Sequence, residues 1–428
     1  MQTHHTLILG SGGREHAIAK LLSRSKIVGN LYIAPGNGGT LNCATNLADV
    51  NVNNVDQIAG IIRDNDISLL VVGPEDPLVN GLRDRLQEMF PEDQLAIVGP
   101  GATGAELEGS KDFAKQFMAR HNIPTAAYKT FVAGEESEAK AYLTTIKPPY
   151  VLKADGLAAG KGVLILDDIE EAETAIDDML QKGKFGAAGS RLVIENFLDG
   201  IEFSVFAAVD GKDYVILPAA KDYKRIGEGD TGLNTGGMGA VSPPPFVDDV
   251  LMAKVESKII KPTIEGLQKE NIDYRGFVFF GLIKVGDEPW VIEYNCRLGD
   301  PETEVVLPRI VSDFGEMCLA IHQRKLGQYE IEVSSDTAAT VMVVSGGYPE
   351  AYEKGKEISG LNQVPQEIHL FHAGTKREGD KILTNGGRVM AFTALDGNHQ
   401  HALMRAYQAI DKVCYDGIYY RKDIGFDL

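Results

Sequence analysis

The sequence predicts a multidomain protein of mixed α/β and α+β class, with a doubly wound parallel sheet at its N-terminus and an α+β module at its C-terminus. Three observations carry this. At 428 residues the chain exceeds what one ordinary hydrophobic core fills, so it divides into about three or more domains. Strand, glycine turn and helix recur through Val98, the rhythm of parallel βα units. After Gly327 short strands follow one another and a helix comes near the end, a different rhythm.

Composition narrows the class. Forty-four per cent hydrophobic and 24 per cent charged residues fit a soluble globular chain. A formal net charge of −19 argues against a general nucleic-acid surface, which relies on many phosphate-neutralising cations. Cys43, Cys296, Cys318 and Cys414 form no CxxC, so neither a disulfide framework nor a thiolate zinc site is expected, and a reducing cytosol fits. The N-terminus lacks room for a signal h-region and no apolar run approaches a bilayer span, so the expectation is a cytoplasmic protein without a membrane partner.

Leu7 to Leu9 is the first strand, and GSGGREHA (Gly10 to Ala17) is a glycine turn opening a helix. Such a helix N-terminus points N–H groups at the turn, a ready anion site. A dinucleotide fingerprint would need a third glycine where Glu15 stands and an acid closing the next strand. That strand, Leu31 to Ala34, runs into PGNGGT without one, so NAD is disfavoured. Ile67 to Val72 ends in GPEDPL and Leu95 to Val98 in GPG. Ligands of a doubly wound sheet lie at C-terminal strand ends, where Gly12, Gly13, Arg14, Gly73, Pro74 and Glu75 collect. Arg14 is either a surface cation or a phosphate contact.

Ser110 to His121 is a helix with Ser110 as N-cap, Lys111 first and Pro124 beyond its end. Lys111 alone reads as an ordinary solvent-facing lysine. From Phe131 a compact segment follows: helix Glu135 to Thr145, a hairpin, helix Ile169 to Gln181 and a glycine-containing loop to Gly189. The hairpin, VLKADGLAAGKGVLIL from Val151 to Leu166, sets Lys153, Gly156, Gly160, Lys161 and Gly162 between apolar strands. Glycines let backbone N–H groups approach an anion and lysines add cations, so it reads as a phosphate cover or as a plain glycine hairpin tip. It is not a Walker A loop. One residue is missing between the glycines, Gly162 replaces the Mg-binding Ser or Thr, and a strand follows instead of a helix.

Arg191 to Glu195 is a strand that bends through Asn196, Phe197 and Leu198 into Ile201 to Val209. The bend leaves Glu195 and Leu198 with free backbone groups and Glu202 just beyond; otherwise both acids are exposed strand ends. Ala219 to Pro245 carries six glycines in 27 residues and reads as a long functional loop without secondary structure, with Asp222, Lys224 and Arg225 near its start. Asp248 to Lys269 is helical. Gly276 to Val285 and Pro289 to Tyr294 are antiparallel strands, the first apolar enough to be buried on both faces. The second ends in VIEYNCRLGDPET, where Glu293, Asn295 and Arg297 alternate and share a side. A carboxylate and an amide oxygen suit a hard Mg²⁺, and a guanidinium suits a phosphate or carboxylate; an ion pair between Glu293 and Arg297 is the bland alternative. The C-terminal module, Thr337 to Val344, Ile368 to Phe371, Ile382 to Leu383, Arg388 to Thr393 and a helix from Gln400 to Val413, shows no acid, base and metal constellation of its own.

Read together, GSGGREHA, APGNGGT, VGPEDPLV, LEGSKDF, VLKADGLAAGKGV, TGLNTGGMGAVSP, IEYNCRLGDPET, FHAGT and TNGGRV, in that order along nearly the whole chain, resemble the ATP-grasp ligases. Within them the chain is similar to the glycinamide ribonucleotide synthetase family of purine synthesis. The resemblance implies an N-terminal Rossmann-like domain (1–102), an ATP-grasp core (103–124 and 190–328), an inserted lid (125–189) and a C-terminal α+β domain (329–428). It implies ATP-dependent ligation of glycine to 5-phosphoribosylamine through glycyl phosphate, with Mg²⁺ or Mn²⁺, by a monomer acting on small molecules. Another ATP-grasp ligase and a non-catalytic nucleotide-binding regulator are the rivals; the Glu293, Asn295, Arg297 alternation beside GDPE argues against the regulator.

Carried over by residue, the resemblance sets Lys111 and Lys153 on the ATP phosphates, with the loop of Gly156, Gly160, Lys161 and Gly162 folded over them. Glu195, Asn196, Phe197 and Leu198 lie along the adenine edge through backbone groups, and Glu202 accepts from the ribose. Glu293 and Asn295 bind the metal. Arg297, Gly299, Asp300, Pro301 and Glu302, with Asp222, Lys224, Arg225, Thr235, Gly236 and Gly237, surround glycine and the amine; Gly12, Gly13 and Arg14 take the sugar phosphate. One departure stands out: many ATP-grasp enzymes carry a second metal-binding acid on the preceding strand, where this chain has Phe279, Phe280 and Gly281. Glu302 is the alternative acid.

Overall fold

The computed structural model describes residues 3–157, 162–180 and 191–428. Its N-terminal part comprises β1 (His4–Gly10), α1 (Gly13–Leu22), β2 (Val28–Pro35), β3 (Thr45–Asn46), α2 (Val55–Asp64), β4 (Ile67–Val72), α3 (Glu75–Val79), α4 (Leu82–Met89) and β5 (Ala96–Val98). The strands pair in parallel in the order β3-β2-β1-β4-β5. The doubly wound expectation holds, with one addition: β3 is two residues long, too short to leave a period in the sequence. The order reverses between β1 and β4, where such sheets open a ligand crevice. Here Glu15 fills it. A Cβ on Gly10 or Gly73 would lie 2.4 or 2.2 Å from the Glu15 side chain, so the glycines of both turns make room for a carboxylate of the protein itself.

Two helices, α5 (Ala102–Gly109) and α6 (Lys111–Arg120), lead out of this sheet. The Ser110 side chain caps α6 by accepting from the Phe113 N–H at 3.1 Å, as the sequence implies. The next elements are β6 (Tyr128–Val132), α7 (Glu136–Leu143), β7 (Tyr150–Ala154), β8 (Val163–Leu166), α8 (Ile169–Leu180) and β9 (Arg191–Asn196). They form a four-stranded sheet, β6-β9-β7-β8, with a hydrophobic core of its own that includes Phe131, Leu143, Leu152, Ile176 and Ile194. This corrects the expected lid boundary. β9 belongs at the centre of the lid sheet, not with the core, because it pairs along both edges, with β6 and with β7.

The remaining chain runs β10 (Ile201–Asp210), β11 (Tyr214–Asp222), β12 (Arg225–Gly227), β13 (Thr231–Asn234), β14 (Gly239–Ser242), α9 (Asp249–Val255), α10 (Lys261–Lys269), β15 (Arg275–Val285), β16 (Glu288–Asn295), α11 (Thr303–Val306) and α12 (Phe314–Gln323). It ends with β17 (Thr337–Ser345), β18 (His369–His372), β19 (Thr375–Glu378), β20 (Lys381–Thr384), β21 (Arg388–Asp396), α13 (His399–Ile410) and β22 (Ile418–Tyr419). Most of these strands join one sheet, β16-β15-β10-β11-β14-β17-β21-β18, with β22 on β17. The C-terminal module is α+β, and its strands continue the core sheet edge to edge through β14 and β17. Residues 219–245 therefore are not the structureless loop that the sequence suggests. Short strands broken by left-handed Gly229, Gly232 and Gly237 carry no alternation to read. β15 behaves as expected: Phe277 and Phe279 enter one core cluster, Val278, Phe280 and Leu282 the other, the two-faced burial of a central strand.

The N-terminal and C-terminal parts meet across α1 and β18. His16 Nδ1 accepts from the His372 N–H at 2.8 Å, and the Asn37 amide donates to the His372 carbonyl at 2.7 Å and to Ser11 O at 2.9 Å. Burial, aided by Lys20 nearby, lowers the pKa of His16 and brings His369 and His372 down to about 4. The unfolded chain thus binds more protons than the fold below the ordinary histidine value of 6.5, so this contribution to stability is full above 6.5 and is lost as pH falls toward 4. At about 1.4 kcal/mol per pH unit, His372 alone is worth on the order of 3 kcal/mol across that window. The thermal midpoint is expected to fall on acidification through it, and His372→Gln to flatten the slope; a slope identical in the variant would refute the assignment.

Candidate functional site

The lid hairpin is rooted on the N-terminus of α6. Asp155, just after β7, accepts from the Asp112 N–H at 2.7 Å and from Ser110 Oγ at 3.1 Å, and its carbonyl accepts from the Lys111 N–H at 3.1 Å. Negative charge at a helix start is favourable, so the sequence KADG sets the lid on α6. This turns Lys111 toward the lid, where its Nζ donates to Gly156 O at 3.3 Å; it is not a free surface lysine. Gly162 closes the hairpin by accepting from the Ala154 N–H at 2.8 Å. Gly160 and Lys161 lie outside the described residues.

Lys153 is buried, with Nζ 3.0 Å from Glu195 Oε1 and 3.5 Å from Ile292 O, beside Glu293. The other Glu195 oxygen pairs with Lys115 Nζ at 3.0 Å, which also donates to Thr125 Oγ1 at 2.7 Å. Burial brings Lys115 down to about 8. Burial would raise Glu195, but Lys153 and Lys115 hold its carboxyl below the ordinary range. Glu195 is therefore not an exposed strand end. The expected adenine edge is also reduced, because the Asn196 N–H is already given to Ala127 O at 2.9 Å; Phe197 is exposed and Leu198 half-buried.

Across the cleft, Lys224 Nζ donates to Glu202 Oε2 at 2.6 Å. Asp222, Glu202 and Glu293 together raise it above the ordinary lysine value. Burial raises Asp222 as well. Glu302 is buried, accepts from Ser204 Oγ at 3.2 Å, and is pushed up to about 7 by burial and Asp222. Gly299 gives it room: a Cβ there would lie 2.5 Å from Glu302 Oε2. Thr235 Oγ1 holds Lys224 O at 2.8 Å, and Gly237, at a positive φ, packs on Pro301, which a Cβ would strike at 2.3 Å. Arg225 does not join them; its guanidinium donates to Gly232 O at 2.8 Å within the β12–β13 hairpin.

Arg297 does not pair with Glu293. Its Nε donates to Glu75 Oε2 at 3.2 Å, its Nη2 to Glu108 Oε1 at 2.9 Å and its Nη1 to Leu298 O at 3.3 Å. A guanidinium has five donors, so one N–H on each Nη has no partner among the described residues, a fork that fits a substrate carboxylate. The turn of Gly12, Gly13 and Arg14 is not the open anion cradle that the sequence suggests. The Gly12 N–H goes to Glu15 Oε2 and the Arg14 Nε to Glu15 Oε1, each at 2.6 Å, and Arg14 Nη1 goes to Leu298 O at 3.1 Å. Asp300 accepts from the Arg14 N–H at 3.3 Å and pairs with Arg388 at 3.0 Å.

Glu293 and Asn295 offer hard oxygens. Gly281 stands opposite Glu293 and Phe279 opposite Asn295, so the preceding strand adds no acid, and a Cβ on Gly281 would come within 3.1 Å of Glu293 Cγ. Among the described residues no cluster of three or more His, Cys, Asp or Glu could hold a metal ion by itself. One carboxylate and one amide oxygen fit Mg²⁺ as it is bound with a nucleotide, where phosphates and water complete the shell. Residue-by-residue reading missed Lys115, Asp155, Glu108 and Arg388. The last three stand in motifs it singled out, KADG, LEGSKDF and TNGGRV; Lys115 carries no such mark.

Three family models tile the chain: "Phosphoribosylglycinamide synthetase, N domain" matches residues 4–108, its "ATP-grasp (A) domain" 109–303 and its "C domain" 338–427. A phosphoribosylamine–glycine ligase of Allochromatium vinosum is 47% identical over 428 residues, 98% of this chain and 97% of the relative. The crystal structure of a phosphoribosylamine–glycine ligase from Thermotoga maritima is 35% identical with a TM-score of 0.85, covering 98% of this chain and 99% of that one. The biotin carboxylase domain of Hydrogenobacter thermophilus 2-oxoglutarate carboxylase, at 16% identity and a TM-score of 0.71 over 98% of this chain and 92% of that one, shares the fold.

The Lys115, Glu195, Lys153 triad can be tested apart from these similarities. Glu195→Gln leaves two buried ammonium groups without their counter-ion, a loss of about 3–5 kcal/mol. Glu195 is also what holds the Lys115 value up against burial, so in the variant that ammonium sheds its proton more readily and part of the loss should return as pH rises. Denaturation midpoints at neutral and alkaline pH check this; an unchanged neutral midpoint would sink it.

Proposed function

The chain belongs to the phosphoribosylglycinamide synthetase family, and from that premise we infer that it ligates glycine to 5-phosphoribosylamine with ATP, giving glycinamide ribonucleotide, ADP and phosphate in de novo purine biosynthesis. The observation that carries this reading is the meeting of Lys111 and Lys153 with Glu293, Asn295 and Arg297 in one cleft.

The chemistry assigns work to each. A carboxylate is a poor acyl donor because its leaving group would be oxide. Phosphoryl transfer from ATP converts glycine to glycyl phosphate; the amine attacks the carbonyl carbon, the C–N bond forms, and phosphate leaves with the C–O bond. Lys111 and Lys153 bear on the nucleotide phosphates and balance the charge spread over the transferring group. The two unpartnered N–H groups of Arg297 orient the glycine carboxylate. Glu202 receives the ribose hydroxyls, and the remaining backbone groups of 195–198 border the adenine. Asp222, Lys224, the Thr235 to Gly237 loop and the Gly299 to Glu302 turn enclose the amine and exclude water from the acyl phosphate. Mg²⁺ or Mn²⁺, held by Glu293 and Asn295 with the phosphates, supplies charge neutralisation. A cytoplasmic monomer acting on small molecules, without a nucleic-acid partner, completes the reading.

ADP release should require ATP, glycine and phosphoribosylamine together, and an assay omitting each in turn tests it; release indifferent to glycine overturns it. Glu293→Ala is expected to lose most turnover and to need more magnesium for half-maximal rate; turnover and magnesium requirement both unchanged would remove Glu293 from the metal site. Lys153→Ala should lose about 1.5–3 kcal/mol of a charged contact, read as weaker ATP binding or a slower rate; neither changing would exclude it.

A further inference from the structure

We propose that Glu108 is the positioning residue that sets Asn295 and Arg297 for metal and glycine, by taking one or more donors from each of three consecutive residues onto one buried carboxylate. Its surroundings assign the Asn295 amide nitrogen to Glu108 Oε1 at 2.9 Å, with Tyr294 O at 3.2 Å. The same oxygen accepts from Arg297 Nη2 at 2.9 Å. Glu108 Oε2 accepts from the Cys296 N–H at 2.8 Å and from Cys296 Sγ at 3.2 Å. A carboxylate offers about four lone-pair sites, and residues 295–297 fill all four.

The consequence is geometric. With its nitrogen bound to Glu108, the Asn295 amide must turn its oxygen the other way. Asn295 and Glu293 are two apart on β16 and share a face, so that oxygen stands on the side of the Glu293 carboxylate. Arg297 is held by the same carboxylate with Nη2 fixed, leaving the outer N–H pair to a ligand. Glu108 sits in the last turn of α5, where the helix dipole disfavours an acid, so the helix is not the reason for its presence. Gln could not substitute. It offers one acceptor oxygen and would face one of these donors with its own N–H₂, and the Asn295 amide would be free to turn its nitrogen toward the metal. Orienting partners behind metal ligands typically matter about 10- to 100-fold in metal affinity.

The inference rests on the Mg·ATP and glycine reading of the site, so wild-type protein is assayed first: absence of glycine-dependent ADP release fails that reading, while Mg²⁺-dependent ATP binding still reports on Glu108. In Glu108→Gln, calorimetric titration should need about 10- to 100-fold more Mg²⁺ for half-maximal ATP affinity, metal-free ATP binding should be unchanged, and the KM for glycine should rise. Combining Glu108→Gln with Asn295→Asp exchanges donor and acceptor, and should recover the Mg²⁺ dependence without recovering the glycine KM. A folded Glu108→Gln with wild-type Mg²⁺ dependence and glycine KM overturns the proposal and leaves Glu108 as a brace of the fold. Should that variant not fold, Glu108→Asp keeps the charge but withdraws it: a rise in both quantities supports the proposal, and no change in either overturns it.

Discussion

The site depends on how one half-buried arginine is neutralised. Arg297 lies where α3, α5 and the end of β16 meet, and Glu75 and Glu108 both face it. A guanidinium taken out of water must keep its partners, because removing one leaves an uncompensated charge. The two carboxylates therefore fix the N-terminal sheet and α5 against the end of β16. From there the contacts continue. The Leu298 carbonyl accepts from both Arg297 and Arg14, Arg14 holds Glu15, and Asp300 joins Arg14 to Arg388 of β21. Residues of the N-terminal sheet, the core and the C-terminal strands thus share one polar network along a wall of the cleft.

The lid relates to that network differently. It buries its own apolar cluster, and its ties to the core near the cleft are polar: Asp155 on the start of α6 and Glu195 on Lys115. Both ties place lysines. The first brings Lys111 under the hairpin, and the second holds Lys153 from behind, so these two cations are set by carboxylates rather than by apolar packing. A lysine chain has much rotamer entropy to lose on being fixed, and ion pairs near 3 Å in a buried setting are a physical means of fixing it.

Elements with a strong period were legible in the sequence. The parallel units, α6 with its cap, the lid helices and the apolar β15 follow from spacing and capping. What the sequence hid has identifiable causes. β3, β12, β13 and β14 are two to four residues long, below the length at which alternation shows. The membership of β9 in the lid depends on pairing with strands far away in sequence. At the site, residue type and position pointed to Lys153, Glu293 and Arg297, but partners did not: Glu108 and Arg388 lie 189 and 88 residues from the groups that they hold, and Glu195 reads as an exposed acid until Lys115 is seen behind it.

Glu15 shows most directly how a common fold receives a different use. In a dinucleotide-binding sheet the first glycine turn stays open so that a pyrophosphate can approach the helix N-terminus. Here the position that would carry the third glycine of the fingerprint carries a carboxylate. It takes the Gly12 N–H and occupies the space beneath Gly10 and Gly73. The anion site remains, occupied by the protein's own anion. With the crevice closed, the sheet reaches the cleft instead through Arg14 on Leu298 O and Glu75 on Arg297. The fold class alone says where a ligand usually goes, and one side chain is enough to fill that place.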